Sequence, residues 1–211
     1  MLITRRGLVA TGSAATLVSI GSMAKALART SEQVMGPFFP ITHYADVDAD
    51  LTRVRGRAGT AKGRPMNVVG RVLTTKGEPV RGARLELWQA NAAGRYRHPG
   101  DSNPAPLDPD FQGFAVLQTD RSGHFRFRTV KPGAYPIGGG QFRTPHIHAV
   151  VSGHNERLIT QMYFPGERLN ATDDILKDAD SRGSVMLHPI AALSGDPSAL
   201  AFTWDIILAV G

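Results

Sequence analysis

From Asn67 to the C-terminus the chain is interrupted every few residues by Gly, Pro, Asp and Ser, and between the interruptions apolar side chains alternate with polar ones. Such intervals are too short for long helices and have the period of strands that bury one face. "NVVGRVLT" leads through the turn "TKGEPVRG" into "ARLELWQA", where Leu85 and Leu87 alternate with Arg84 and Glu86. A Pro-rich stretch from Arg97 to Phe111 precedes "GFAVLQT", the turn "DRSG" and "HFRFRTV". The pattern predicts a hairpin there, with Phe125 and Phe127 inward and Arg126 and Arg128 outward. "IHAVVSG", "RLITQMYF", "SVMLHPI" and "LAFTWDIILAV" are four further candidate strands, and only "TDDILKDAD" at 172–180 reads as a short helix, capped by Thr172 or Asp173. The expected fold is all-β, an antiparallel β-sandwich with long irregular loops, formed by residues 67–211 as one domain. Residues 29–66 are irregular and rich in Gly, Pro and Arg. They are expected to lie over the sandwich or to reach a partner subunit.

Residues 1–28 are set apart from this pattern. "TRRGLVA" opens a weakly apolar run from Gly7 to Ala24, with no acidic residue, that ends in "ALA" at 26–28. These are the marks of a twin-arginine export signal with a small-residue cleavage site, and predict a periplasmic or secreted protein. The run falls short of the roughly 20 strongly apolar residues of a spanning helix. Three of the 24 Lys and Arg lie in this segment, so the remainder carries 21 against 18 acids, a net charge of +3 rather than +6. The basic residues are scattered, which argues against nucleic acid as a partner. Cysteine is absent, so neither disulfides nor thiolate ligands contribute. The roughly 183 residues after the signal suffice for one well-buried domain without a metal to staple it.

Chemistry concentrates in four residues. In "RTPHIH", His146 and His148 emerge on one side of a strand, with Ile147 turned away, and one metal ion can take both. Tyr96 in "GRYRH" and Tyr135 in "KPGAYP" are the other two. A phenol keeps its proton to about pH 10 and is a poor ligand for most divalent ions, whereas a hard trivalent ion such as iron(III) displaces that proton. Each residue also has a plainer reading. The histidines fit a hydrogen-bonded or surface pair, the tyrosines fit packing, and zinc or copper on the two histidines plus a third such as His98 is the next alternative. Spacing alone leaves these open.

The stretch from Val68 to Glu167, about half the chain, resembles the intradiol ring-cleavage dioxygenases. The resemblance rests, in order, on "GEPVRGARLELWQANAAGRYRH", "TDRSGHFRFRTVKPGAYP", "RTPHIH" and "LITQMYFPGE", with "GPFFP" at 36–40 as a further match. It implies non-haem iron(III) held by Tyr96, Tyr135, His146 and His148, with Tyr135 as the ligand that exchanges for substrate and helps accept its protons. Arg143 falls on the family's active-site arginine, whose charge would stabilise the carbanionic form of the substrate. Gln161 matches a glutamine near the oxygen-binding side, and Gly36 and Pro37 fall on the substrate pocket. The implied partners are a small aromatic diol and O2, and the implied product of cleavage between the hydroxylated carbons is a cis,cis-muconate-type diacid. There is no GxGxxG loop after a strand, and no organic cofactor is expected.

"PIGGGQF" at 136–142 departs from the family, with Ile137 and three glycines where protocatechuate-type members carry a bulky aromatic and a longer loop. A more open pocket edge is expected there. The lack of a helical N-terminal dimerisation segment favours the protocatechuate-like branch, which often pairs two related subunits. A homo-oligomer or a second subunit is therefore expected. The alternative function is a non-catalytic exported β-sandwich that binds an aromatic ligand or zinc. Trp88 and Trp204 read as core, and His98, His124 and His154 as surface. Asp173 and Asp174 read as a helix N-terminus rather than a catalytic pair, and His188 as a candidate neighbour of the site.

Overall fold

The computed structural model describes residues 26–41, 44 and 46–209. The twin-arginine motif and its apolar run lie outside the described residues. Ten strands dominate: β1 Pro65–Thr74, β2 Arg84–Trp88, β3 Phe114–Gln118, β4 His124–Val130, β5 Tyr135–Gly138, β6 Gln141–Arg143, β7 His146–Ser152, β8 Arg157–Tyr163, β9 His188–Ile190 and β10 Leu200–Leu208. The one α-helix among the described residues, α1 Asp174–Lys177, is a single turn. One sheet has the order β4-β1-β10-β9 and the other β3-β2-β7-β8, while β5 and β6 form a separate hairpin.

The two four-stranded sheets face each other across one core. Val68, Val72, Phe125, Phe127, Trp204 and Ile206 come from the first, and Leu85, Leu87, Ile147, Ala149, Leu158 and Met162 from the second. The alternation read from sequence therefore gives the inward face, as on β2, where Leu85 and Leu87 are buried in this core. The second sheet is also covered on its outer side. There Trp88 and Val150 cluster with Tyr96 and Tyr135 beneath Met35, Phe38 and Phe39. Strands covered on both faces carry near-continuous apolar runs, which accounts for "HIHAVV", every residue of which is buried on β7.

Two expectations need correction. β3 and β4 are not a hairpin: they follow one tight turn, in which Asp120 Oδ1 accepts from the Ser122 and His124 amides at 2.8 and 2.9 Å, but enter opposite sheets. Alternation fixes which side chains point inward, and that condition is met equally by strands side by side and by strands facing across a core. The sheets are predominantly antiparallel, as expected, with β1 and β10 pairing in parallel from Met66↔Leu200 to Thr74↔Leu208. A parallel pair requires a long crossover, and nearly the whole sandwich lies between these two strands. Finally, in "SVMLHPI" only His188–Ile190 is a strand, since Arg182–Val185 forms a 3₁₀ turn that buries Val185.

The segment 27–33 has no strand of its own, yet runs along the edges of both sheets. Leu27 and Thr30 amides donate to Thr75 and Ile207 carbonyls at 2.8 and 3.0 Å, and the Gln33 amide donates to Ile159 at 2.8 Å. Covering the β8 edge in this way satisfies backbone groups that an open edge would leave free. The sheets are also bridged from within. Buried Gln89, just after β2, donates to the carbonyls of Ala90 and Val130 at 3.1 and 2.9 Å and accepts from Thr129 Oγ1 at 2.9 Å. Gln89→Leu keeps the volume but strands those partners, and is expected to cost about 2–3 kcal/mol. The reading is a lower urea midpoint at unchanged m-value.

Candidate active site

The outer face of the second sheet sets out the site as cross-strand neighbours. Trp88 on β2 lies opposite His148 on β7, His148 opposite Gln161 on β8, and His146 opposite Tyr163. His146 and His148 share that face, as their spacing predicts, while Ile147 enters the core. Their Nε2 atoms are 3.1 Å apart. His146 Nδ1 lies 2.7 Å from the Thr144 carbonyl, which can only accept, so this nitrogen carries the proton and Nε2 presents its lone pair. The His148 ring stacks on Trp88 at 4.7 Å between centroids and 7° between planes. Burial, reinforced for both by the charge of Arg143, pushes both imidazoles well below their ordinary range and keeps them neutral.

Two loops in backbone contact bring the tyrosines to the same place. Asn91 Oδ1 accepts from the amides of Ala93 and Arg95, closing the turn that leads to Tyr96. The Asn91 carbonyl accepts from Gly133 at 2.9 Å, two residues before Tyr135. Gly94 has φ of 80°, and a Cβ there would fall 2.2 Å from the Ala134 carbonyl oxygen, so only glycine lets these loops meet. The two phenol rings stand edge to face at 5.3 Å, with Tyr135 5.6 Å from His146 and Tyr96 6.2 Å from His148. Tyr96 Oη is buried without a hydrogen-bond partner. Burial raises both phenols, Tyr96 most strongly.

Arg143 ends β6 and pairs in register with Tyr135 across the small hairpin. It is 5% exposed. Its Nε donates to Asp173 Oδ2 at 2.7 Å, and its Nη2 to Gln161 Oε1 at 2.7 Å and Tyr163 Oη at 3.2 Å. Tyr163 Oη lies 2.6 Å from Gln33 Oε1 and 2.9 Å from Gln161 Oε1. Gln161 Nε2 donates to the Val34 carbonyl at 2.9 Å. Gly36, with φ of 73°, passes so close to His148 that a Cβ would lie 3.1 Å from Cε1. Gly36 and Pro37, with Phe38, Tyr135 and Arg143, line a cavity of about 710 Å³.

A family model described as Dioxygenase matches residues 34–210. The protocatechuate 3,4-dioxygenase beta chain of Burkholderia cepacia is 42% identical over 180 residues, 82% of this chain and 76% of that one. This chain is an intradiol ring-cleavage dioxygenase. A hydroxyquinol 1,2-dioxygenase of a Rhizobium species is 33% identical over 156 residues, which cover 67% of the chain but only half of that enzyme. The dioxygenase domain of a carbohydrate-binding fusion protein from Streptomyces sp. SirexAA-E superposes with a TM-score of 0.65 at 28% identity, covering 87% of this chain and all of that domain. The dioxygenase is thus an oxidoreductase on a β-sandwich, and its six predicted polar side chains surround one region.

Sequence reasoning overlooked Tyr163, although it stands two residues beyond Gln161 on the same strand face. It also overlooked Gln33. Asp173 was assigned to the start of a helix alone; it does cap α1, accepting from the Leu176 amide at 3.0 Å, but its other oxygen holds Arg143 and the Thr144 amide. His188 is exposed on β9, at the edge of the opposite sheet, and does not neighbour the site. His98 packs 5.7 Å from Phe38, and among the described residues no three His, Cys, Asp or Glu side chains converge on one point. Because Asp173→Ala leaves a buried guanidinium uncompensated and removes a helix cap, it is expected to destabilise the dioxygenase by about 3–5 kcal/mol. Chemical denaturation checks this, and an effect within 1 kcal/mol of zero would contradict the role of the ion pair.

Proposed function

We propose that the dioxygenase binds non-haem iron(III) through Tyr96, Tyr135, His146 and His148 and cleaves a catechol between its two hydroxylated carbons. The observation that carries this reading is the pair of buried phenols beside two neutral imidazoles, with Tyr96 Oη unpartnered. An unsatisfied buried hydroxyl is costly, and phenols raised by burial do not ionise unaided near neutral pH. A trivalent ion reverses that preference and matches two anionic oxygens and two nitrogens. When bound, the ferric ion supplies a Lewis acid that acidifies both catechol hydroxyls and makes the ring reactive toward O2.

The protein's own groups do the rest. Tyr135 Oη, as the phenolate that a bound ferric ion would hold, would take up one proton from the incoming diol. Arg143, its cross-strand neighbour, holds positive charge beside the ring as electron density builds on it; Asp173 fixes its orientation while offsetting part of its field. Gln161 stands next to His148 across the sheet and, anchored at both ends of its amide, orders the face assigned to O2. The lid formed by Gly36, Pro37 and Phe38 excludes water from the metal-binding side chains. The reaction adds both atoms of O2 to the substrate and gives a cis,cis-muconate-type diacid.

An absorption spectrum of iron-loaded protein tests the reading. A broad phenolate-to-iron band that shifts on adding catechol without oxygen is the expected result, and a colourless, folded, iron-free protein would remove it. Tyr96→Phe and His148→Ala are expected to lose most bound iron on dialysis. Arg143→Ala alone would orphan Asp173, so it is paired with Asp173→Asn. That double variant is expected to keep the coloured catechol complex and lose about 10²–10³-fold in turnover, as for removal of one preorganised donor.

We further propose export by the twin-arginine route to the periplasm or medium, supported by the "RR" motif and the "ALA" at 26–28. Assembly with identical or related chains is supported by the relative designated a beta chain. Fractionation with N-terminal sequencing, and native mass of the product, check both. A cytoplasmic full-length monomer would contradict them.

A further inference from the structure

The cavity beside Arg143 has a volume of about 710 Å³, much more than a bare catechol ring fills. Beyond Tyr135 and Arg143 its wall is mainly apolar, with Val34, Pro37, Phe38, Pro104, Ile137 and Ile175, interrupted by the polar Asp101, Ser102 and Asn103. Val34 and Ile137 are 54% and 53% exposed, and Phe142, which pairs with Pro136 across the hairpin, is 46% exposed, so the apolar surface continues onto the rim. A volume of about 710 Å³ lies in the range that encloses a drug-sized ligand. A bare catechol ring would leave most of this apolar wall against water.

Charge decides what can fill the remainder. Arg143 and Asp101 are the charged side chains that line the cavity among the described residues. Arg143 is already matched by Asp173 and held by Gln161 and Tyr163. Asp101 presents a carboxylate. It accepts from the Tyr96 and Asn103 amides at 2.7 and 2.8 Å and lies 3.7 Å from Arg95. A substituent carboxylate in this end would meet the Asp101 carboxylate, which Arg95 offsets only from 3.7 Å, and no uncommitted cation among the side chains that line the cavity, and burying an unpaired carboxylate is strongly unfavourable. An alkyl or aryl group would cover apolar wall with no such cost.

We propose, resting on the ferric intradiol reading, that the preferred substrate is a catechol bearing a bulky, uncharged apolar substituent, and that carboxylated catechols are selected against. Ile137, where this chain departs from the family pattern, is the specificity-determining residue at the substituent end.

The test uses the purified iron-loaded protein in its native assembly, with 4-tert-butylcatechol, catechol and protocatechuate. Oxygen uptake gives kcat/KM for each, and calorimetry without oxygen gives binding. The expected result is at least a tenfold advantage for 4-tert-butylcatechol over protocatechuate in both readouts. Equal or better performance by protocatechuate would overturn the proposal. Tighter binding of the alkylated diol with no oxygen uptake by any substrate would uphold the pocket assignment and remove the catalytic reading, whereas binding of none would remove both. Ile137→Arg places a cation at the exposed rim and is expected to narrow the ratio about tenfold. An unchanged ratio would overturn the placement of the substituent beside Ile137.

Discussion

Strand β7 is buried on both faces, and much of the molecule follows from the need to cover the outer one. Its inner face meets the opposing sheet in the ordinary way of a sandwich. Its outer face carries two histidines, which cannot be left among apolar neighbours without partners. The chain answers with three pieces outside the two large sheets: the N-terminal segment through Phe39, the loop carrying Tyr96 and the hairpin beginning at Tyr135. None is a regular layer, because each must present polar atoms inward while remaining apolar toward Trp88 and Val150. The candidate site of the dioxygenase is in this sense the solution to covering a polar sheet face.

The buried ion pair of Arg143 and Asp173 is the second organising element. The two residues lie on either side of β7 and β8 in sequence, so their contact ties the small hairpin to α1 over the outer face. Gln161 and Tyr163 extend the connection along β8, and Gln33 extends it to the N-terminal segment. Arg143 only donates and Asp173 only accepts, while Gln161, Tyr163 and Gln33 do both, so each member is matched, the condition under which a buried polar network adds definition rather than strain.

Much of this was legible in the sequence, but unevenly. Alternation gave the inward residues of β2 and β4, and the one-residue gap between His146 and His148 gave their common face. It did not give the sheet to which a strand belongs, because β3 and β4 satisfy the same pattern on opposite sides of the core. Nor did spacing choose between a two-histidine zinc site and a ferric one; the resemblance carried Tyr96 and Tyr135 to the histidines. Asp173 looked complete as a helix cap, and nothing local shows that its second oxygen serves an arginine thirty positions earlier. Gln33 and Tyr163 are joined over an even longer separation, with no periodicity to link them.

The same long separations bear on when the molecule can finish folding. Thr30 exchanges hydrogen bonds with Ile207, the Thr30 amide donating to its carbonyl and the Thr30 hydroxyl accepting from its amide. β10 in turn lies between β1 and β9. A ribosome therefore releases the last strand before the first sheet can be completed, and the segment that carries Gln33 waits for an edge that does not yet exist. Pairings this distant close slowly. The candidate site is assembled as a late event, and any metal it takes up is held by a protein in which Thr30 has already met Ile207.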